Sequence, residues 1–215
     1  MENVKWLFFD LGYTLINEDE AHNKRILNAI EKMKEHDIFI TSEDFIKGMI
    51  NASQNYKSSP FFGFLKDLGF DYNIPYPKEL ETPYEDSISI LKELHKKYKI
   101  GIIANQSIGT LDRIEKYGFM PYIDLCYSST EKGLSKPNLK FFKLALNEAG
   151  CTPENAYMIG DRLDNDIFPA KKLGMKTIRI LKGFGAYQQP INDYYCPDIT
   201  INNLSELLLI FTTKV

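Results

Sequence analysis

The chain has 215 residues, 44% apolar and 26% charged, with 26 basic against 29 acidic side chains and a formal net charge of −3. That length builds one hydrophobic core, or one core plus an insertion, and the charge balance carries no basic excess for coating nucleic acid. Three widely spaced cysteines, a first apolar run (Trp6–Phe9) cut off by Asp10 too early for a secretory leader, and no stretch near the roughly 20 apolar residues of a membrane span exclude disulfide scaffolds and membrane proteins and predict a cytoplasmic location.

Lys5 to Phe9 predicts a buried strand that ends in a loop at Asp10-Leu11-Gly12. Residues 17–83 then change character. Ile26, Leu27, Ile30 and Met33 recur at helical spacing. Thr41-Ser42-Glu43-Asp44 opens a second helix with Phe45, Ile46, Met49 and Ile50 on one face, and Phe61, Phe62, Leu65 and Leu68 suggest a third. The aromatics Phe61, Phe62, Phe64, Phe70 and Tyr72 read as the core of this helical segment. Asn73 to Pro77 reads as a linker.

From Thr82 the pattern becomes strand–helix alternation. Thr82-Pro83 predicts a helix start, Thr as N-cap and Pro at the first position, with the helix running through Ile88, Leu91, Leu94 and Lys97. Strands follow at Ile100–Ala104, Ile123–Ser128, Ala156–Ile159, Lys176–Ile180 and Asp198–Ile201. Between and after them lie helices at Leu111–Tyr117, Asn138–Ala149, Ile167–Leu173 and Leu204–Phe211. Repeated units of this kind predict an α/β fold, a doubly wound parallel sheet. Residues 1–16 and 84–215 form its core domain, and 17–83 an inserted all-helical domain.

In such sheets ligands bind beyond the carboxyl ends of the strands. Asp10, Asn105 with Ser107, and Asp161 stand at strand ends, and Lys136 opens the loop before another helix. Two close carboxylates repel unless a cation lies between them. Mg²⁺ suits that position, since it takes hard oxygen ligands and substrate phosphate.

Asp10-Leu11-Gly12-Tyr13-Thr14-Leu15, Ile100 to Asn105, Lys136-Pro137 and Gly160-Asp161-Arg162-Leu163-Asp164-Asn165-Asp166 resemble, in order, the four motifs of the haloacid dehalogenase (HAD) superfamily. The resemblance implies a Rossmann-like core with a helical cap at 17–83, and a Mg²⁺-dependent hydrolase, a phosphatase acting on a small phosphorylated metabolite. It implies that Asp10 is the nucleophile and forms an aspartyl-phosphate. Asp10, Asp161 and the Gly12 carbonyl would be the metal ligands. Asp166 would act behind them on water or Lys136, and Lys136 would offset the charge of Asp10 and the phosphoryl oxygens. Asn105, Ser107 and Lys136 are the candidate phosphate contacts.

Two positions depart from the family pattern. Its phosphatases carry a second Asp, a general acid and base, two residues after the nucleophile; here that residue is Gly12. Their second motif ends on Ser or Thr; here it is Ala104. Losing a general acid costs on the order of 10² to 10⁴ in rate. The departures leave three outcomes: substrates whose leaving groups need little protonation, a substitute acid at Glu18, Asp19 or Glu20, or a protein that only binds a phosphorylated ligand or a protein partner. Asp164 and the histidines His22, His36 and His95 read as surface residues.

Overall fold

The computed structural model describes residues 4–212. The first strand, β1 (Trp6–Phe9), alternates its side chains: Leu7 and Phe9 enter one apolar cluster and Phe8 another. A strand covered on both faces needs that arrangement. After the loop that begins at Asp10 comes the short strand β2 (Ile16–Asn17).

The predicted helical segment forms α1 (Asp19–Lys34), α2 (Ser42–Gln54) and α3 (Pro60–Asp67). Thr41 caps α2 by accepting the Asp44 N–H at 3.1 Å, and Ser59 precedes Pro60 at the start of α3. Ile26, Met33, Phe45, Met49, Phe61 and Leu65 bury against each other in a cluster distinct from both sheet faces. Phe61 and Phe70 belong to that core, but Phe62 and Tyr72 are 44% and 39% exposed. The aromatic run therefore covers two faces and is not core throughout.

Thr82-Pro83 is not a helix start. It forms strand β3 (Thr82–Pro83), antiparallel to β2, with Ile16 opposite Pro83 and Asn17 opposite Thr82. The Tyr84 N–H continues the contact to the Leu15 carbonyl at 3.1 Å, and helix α4 (Ser87–His95) begins only after this return. The local signal for a cap lost to pairing with a segment 66 residues away.

The remaining elements are β4 (Lys99–Ala104), α5 (Thr110–Lys116), β5 (Leu125–Ser128), α6 (Ser129–Lys132), α7 (Leu139–Glu148), β6 (Ala156–Gly160), α8 (Phe168–Leu173), β7 (Lys176–Ile180), β8 (Ile199–Ile201) and α9 (Glu206–Thr212). Six strands form one parallel sheet in the order β5-β4-β1-β6-β7-β8. The chain winds outward from β1 to β5, then starts again beside β1 and winds the other way to β8. The reversal opens a crevice beyond the carboxyl ends of β4, β1 and β6. Cys126, Cys151 and Cys196 are free thiols, and no helix among the described residues is long and apolar enough to cross a membrane.

Candidate active site

Asp10 follows directly on β1. Its N–H donates to the Ile159 carbonyl at 2.9 Å, so β1 and β6 end together and Asp161 emerges beside it. The loop after Asp10 is tight: the Tyr13 N–H reaches the Ile16 carbonyl at 2.8 Å, and Tyr13 takes a left-handed backbone (φ 51°), uncommon for a residue with a Cβ.

Lys136 comes from the loop before α7. Asn105, at the end of β4, holds it there: its side-chain amide donates to the Lys136 carbonyl at 2.9 Å and accepts the Lys136 N–H at 2.7 Å. The ammonium then donates to Asp10 Oδ1 at 2.7 Å and Asp166 Oδ1 at 2.6 Å, with all three side chains nearly or fully buried. Asp166 projects inward from a π-helical turn at Leu163–Ile167, a local widening common at functional sites. Its second oxygen accepts the Arg162 N–H at 3.0 Å. Ser107 is placed apart from this group. Its hydroxyl bonds to the Lys78 ammonium, and it does not line the cavity over Asp10.

Ligand oxygens of Asp10, Asp161 and Asp166 lie within 4.8 Å of one another. One ammonium cannot neutralise three buried carboxylates. Burial, then Asp166 and Asp10, pushes the Asp161 carboxyl well above the usual range. Burial also raises Asp166 against the opposing pull of Lys136. For Lys136, burial works to lower the ammonium, but Asp10 and Asp166 outweigh it and hold it above the ordinary lysine value. The donor set, hard oxygens with excess negative charge, fits a divalent cation such as Mg²⁺. A turn at Phe184–Tyr187 closes over Asp161: a Cβ at Gly185 would lie 2.3 Å from Asp161 Oδ2, so only glycine lets the backbone approach this carboxylate.

A cavity of about 280 Å³ opens over Asp10, Lys136 and Asp161. The helical segment supplies its other wall through Glu18, His22, Ser58 and Ser59. Glu18 reaches back toward the loop after Asp10: both its carboxyl oxygens lie 2.7 Å from the point where a Cβ on residue 12 would sit. Burial, then Glu81 and Asp10, pushes its pKa up to about 8. Asp19 and Glu20 are exposed on the first turn of α1.

His22 and Asp164 depart from their expected surface positions. The His22 ring stacks on Tyr13 (centroids 5.7 Å apart) because α1 docks its first turns on the loop after Asp10. Burial, then Arg25, lowers its pKa to about 4. Asp164 accepts Arg162 at two points, 2.9 and 2.7 Å, and the Gln188 amide at 3.1 Å. Arg162 goes on to the carbonyls of Ser58 (3.2 Å) and Lys57 (2.9 Å), tying the turn after β6 to the helical segment. His36 is exposed against Tyr72, and His95 pairs with Asp124 at 3.0 Å.

Sequence reasoning missed Arg162 as a tie between the two parts, and it missed the turn around Phe184. From that turn, the Phe184 carbonyl accepts the Ser53 hydroxyl at 2.7 Å, and Gln188 accepts the Leu163 N–H at 2.7 Å. The one available signal was the pair Gly183 and Gly185, two glycines two apart in a segment with no nucleotide-binding pattern.

The profile of the haloacid dehalogenase-like hydrolase family matches residues 7–180. A glyceraldehyde 3-phosphate phosphatase from Methanocaldococcus jannaschii is 34% identical over 95% of this chain and 96% of its own length. Pyrophosphatase PpaX from Bacillus velezensis is 30% identical over 99% of both chains. Among solved structures, the magnesium-bound HAD-hydrolase YfnB from Bacillus subtilis superposes with a TM-score of 0.70 at 18% identity, covering 98% of this chain and 100% of that one.

Proposed function

The chain belongs to the haloacid dehalogenase-like hydrolase family, and on that premise we propose that it is a Mg²⁺-dependent phosphatase of a small phosphorylated metabolite, working through an aspartyl-phosphate at Asp10. The observation that carries this reading is the shared contact of Lys136 with Asp10 and Asp166 beside Asp161, all in one cavity at the crevice of the sheet. The M. jannaschii relative, a glyceraldehyde 3-phosphate phosphatase, suggests the substrate class, a phosphorylated triose or another small phosphate ester of similar size. At about 280 Å³ the cavity lies at the small end of ligand sites, about 300–1,000 Å³ in general, and suits such a molecule.

In this reading Asp10 attacks phosphorus, and Lys136 offsets the charge that gathers on the phosphoryl oxygens. Asp10, Asp161 and the Gly12 carbonyl would hold Mg²⁺, which when bound polarises those oxygens as a Lewis acid. Asp166 keeps Lys136 aimed at Asp10. Asn105 acts through the Lys136 backbone, since both polar atoms of its side chain are engaged there. Residues 17–83 act as a cap that supplies the far wall of the cavity and chooses the leaving group.

The test is phosphate release from a panel of small phosphate esters, with Mg²⁺ and with a chelator, by the parent and by Asp10→Asn. The expected result is release that needs Mg²⁺ and disappears in Asp10→Asn. A parent that binds phosphate esters but turns none over would instead make this a phospho-ligand-binding member of the family.

A further inference from the structure

We propose that the Glu18 carboxyl stands in for the acid and base that Gly12 lacks, delivered from the opposite side of the same space. This rests on the phosphatase reading above. The loop after Asp10 offers no side chain at residue 12, yet the volume over Gly12 is filled. Glu18 Oε1 and Oε2 each lie 2.7 Å, and its Cδ 2.8 Å, from the Cβ position. An aspartate there would carry its carboxyl into the same shell, so the two groups are alternatives for one place.

The position of Glu18 supports the assignment. It is the N-cap residue of α1, next to the free N–H groups of the first turn, which a capping side chain would accept. Here the side chain makes no such capping bond. It is directed instead into the cavity that Asp10 and Lys136 share. The His22 Nε2 stands behind it, 3.9 Å from Oε2. Asp19 and Glu20, its neighbours in sequence, are exposed and do not line this cavity.

The role balances over two steps. Asp10 forms a bond to phosphorus as the bond from phosphorus to the leaving oxygen breaks. That oxygen keeps the electron pair, takes the proton from Glu18 and departs as an alcohol. Water then attacks the phosphorus of the aspartyl-phosphate and gives a proton back to the Glu18 carboxylate. The bond to Asp10 breaks with its electrons returning to the Asp10 carboxylate, and phosphate leaves.

The experiment compares an alkyl phosphate, glycerol 3-phosphate, with p-nitrophenyl phosphate, whose leaving group needs little protonation. The proteins are the parent, Glu18→Gln, Glu18→Ala, Gly12→Asp, the Glu18→Ala/Gly12→Asp double variant and Asp10→Asn. Glu18→Gln and Glu18→Ala should lose about 10²-fold on the alkyl ester and less than about 10-fold on the aryl ester. Adding Gly12→Asp to Glu18→Ala should recover about 10-fold or more on the alkyl ester. Gly12→Asp alone should give no gain, because Glu18 already holds the space. Such non-additivity marks two groups sharing one function. The aryl rate and the melting temperature serve as controls for folding. Equal losses on both esters in variants that melt like the parent, or alkyl rates at the parent's level, would overturn the role of Glu18 while Asp10→Asn still shows the phosphatase reading intact. A parent with no Asp10-dependent turnover on either ester would overturn both.

Discussion

Replacing Lys136 with methionine keeps most of the side chain's bulk and removes one buried charge. The ammonium lies 2.7 Å from Asp10 and 2.6 Å from Asp166. At an effective dielectric of about 20, each contact is worth about 6 kcal/mol of gross attraction. Desolvation of three buried groups offsets most of that. Removing one partner of a buried ion pair costs about 3–5 kcal/mol net, because the remaining charges stay buried and unpaired. For a chain of this size each kcal/mol is worth about 2–4 °C in Tm, so Lys136→Met should melt about 6–20 °C below the parent in a chelator. The pH dependence has a definite sign. Asp161 and Asp166 are held above their ordinary values in the fold, so above pH 4 the native state binds more protons than the unfolded chain, and this pair costs stability as pH rises. Without Lys136 both carboxyls hold their protons to higher pH, so the variant's deficit should be larger at pH 8 than at pH 5.5. Added Mg²⁺ should recover part of the loss at pH 8. Thermal melts of both proteins at the two pH values, with chelator and with Mg²⁺, read all of this. Equal melting temperatures in chelator at pH 8, or a deficit that grows toward acid, would refute the charge argument.

Two further variants probe the surroundings of the site. Gly185→Ala brings a methyl to 2.3 Å from Asp161 Oδ2 and 2.7 Å from its backbone oxygen, so overpacking should cost about 1–3 kcal/mol. The rise in Tm expected with Mg²⁺ should also shrink, as seen by melts across a Mg²⁺ titration; an unchanged Mg²⁺ response would separate the turn from the proposed metal site. Arg162→Ala removes the bonds to the Ser58 and Lys57 carbonyls, so amide exchange around Ser58–Gly63 should quicken while β1 and β6 keep their protection. Uniform loss of protection would mean that the arginine supports the whole fold instead.

What could be read in advance followed the range of the forces involved. The buried strands announced themselves as apolar runs, and helices such as α2 and α7 carried side-chain caps at Thr41 and Asn138 that accept N–H groups within three residues. That Asp10, Lys136, Asp161 and Asp166 would come together was legible because each stands at a strand end or in a short motif, and the parallel sheet places strand ends together. Features built from distant contacts were not legible. Thr82-Pro83 carries a proper helix-start signature, and only Ile16-Asn17, brought alongside by the fold, makes it a strand. Ser107 lies three residues past a strand end, where a phosphate contact is reasonable, but Lys78 from the returning segment captures its hydroxyl. The absence of a side chain at Gly12 was plain in the sequence; that Glu18 fills the gap depends on how the start of α1 folds back. Asp164 and His22 looked like solvent-facing polar residues because Gln188 and Tyr13 reach them only through tertiary packing, and because Arg162, a local partner of Asp164, is itself held by the carbonyls of Lys57 and Ser58.

The pairing of β2 with β3 has a consequence for how the protein can change. The outgoing and returning strands of the helical segment lie side by side, joined by a ladder two residues long. The two ends of the segment are therefore already pinned together before anything within it is specified. Loop-closure entropy grows only as the logarithm of length, so lengthening, shortening or exchanging the chain between Asn17 and Thr82 places little new strain on the sheet. The segment is a cassette on a fixed two-stranded stalk. On the proposed reading, selectivity can drift within it while Asp10, Lys136 and Asp161 stay where the strand ends put them, but an exchange also replaces what the segment gives the site, such as the Lys57 and Ser58 carbonyls that hold Arg162. Glu18 is the first residue past the stalk, so an exchange that begins there carries the carboxyl over Gly12 away with it.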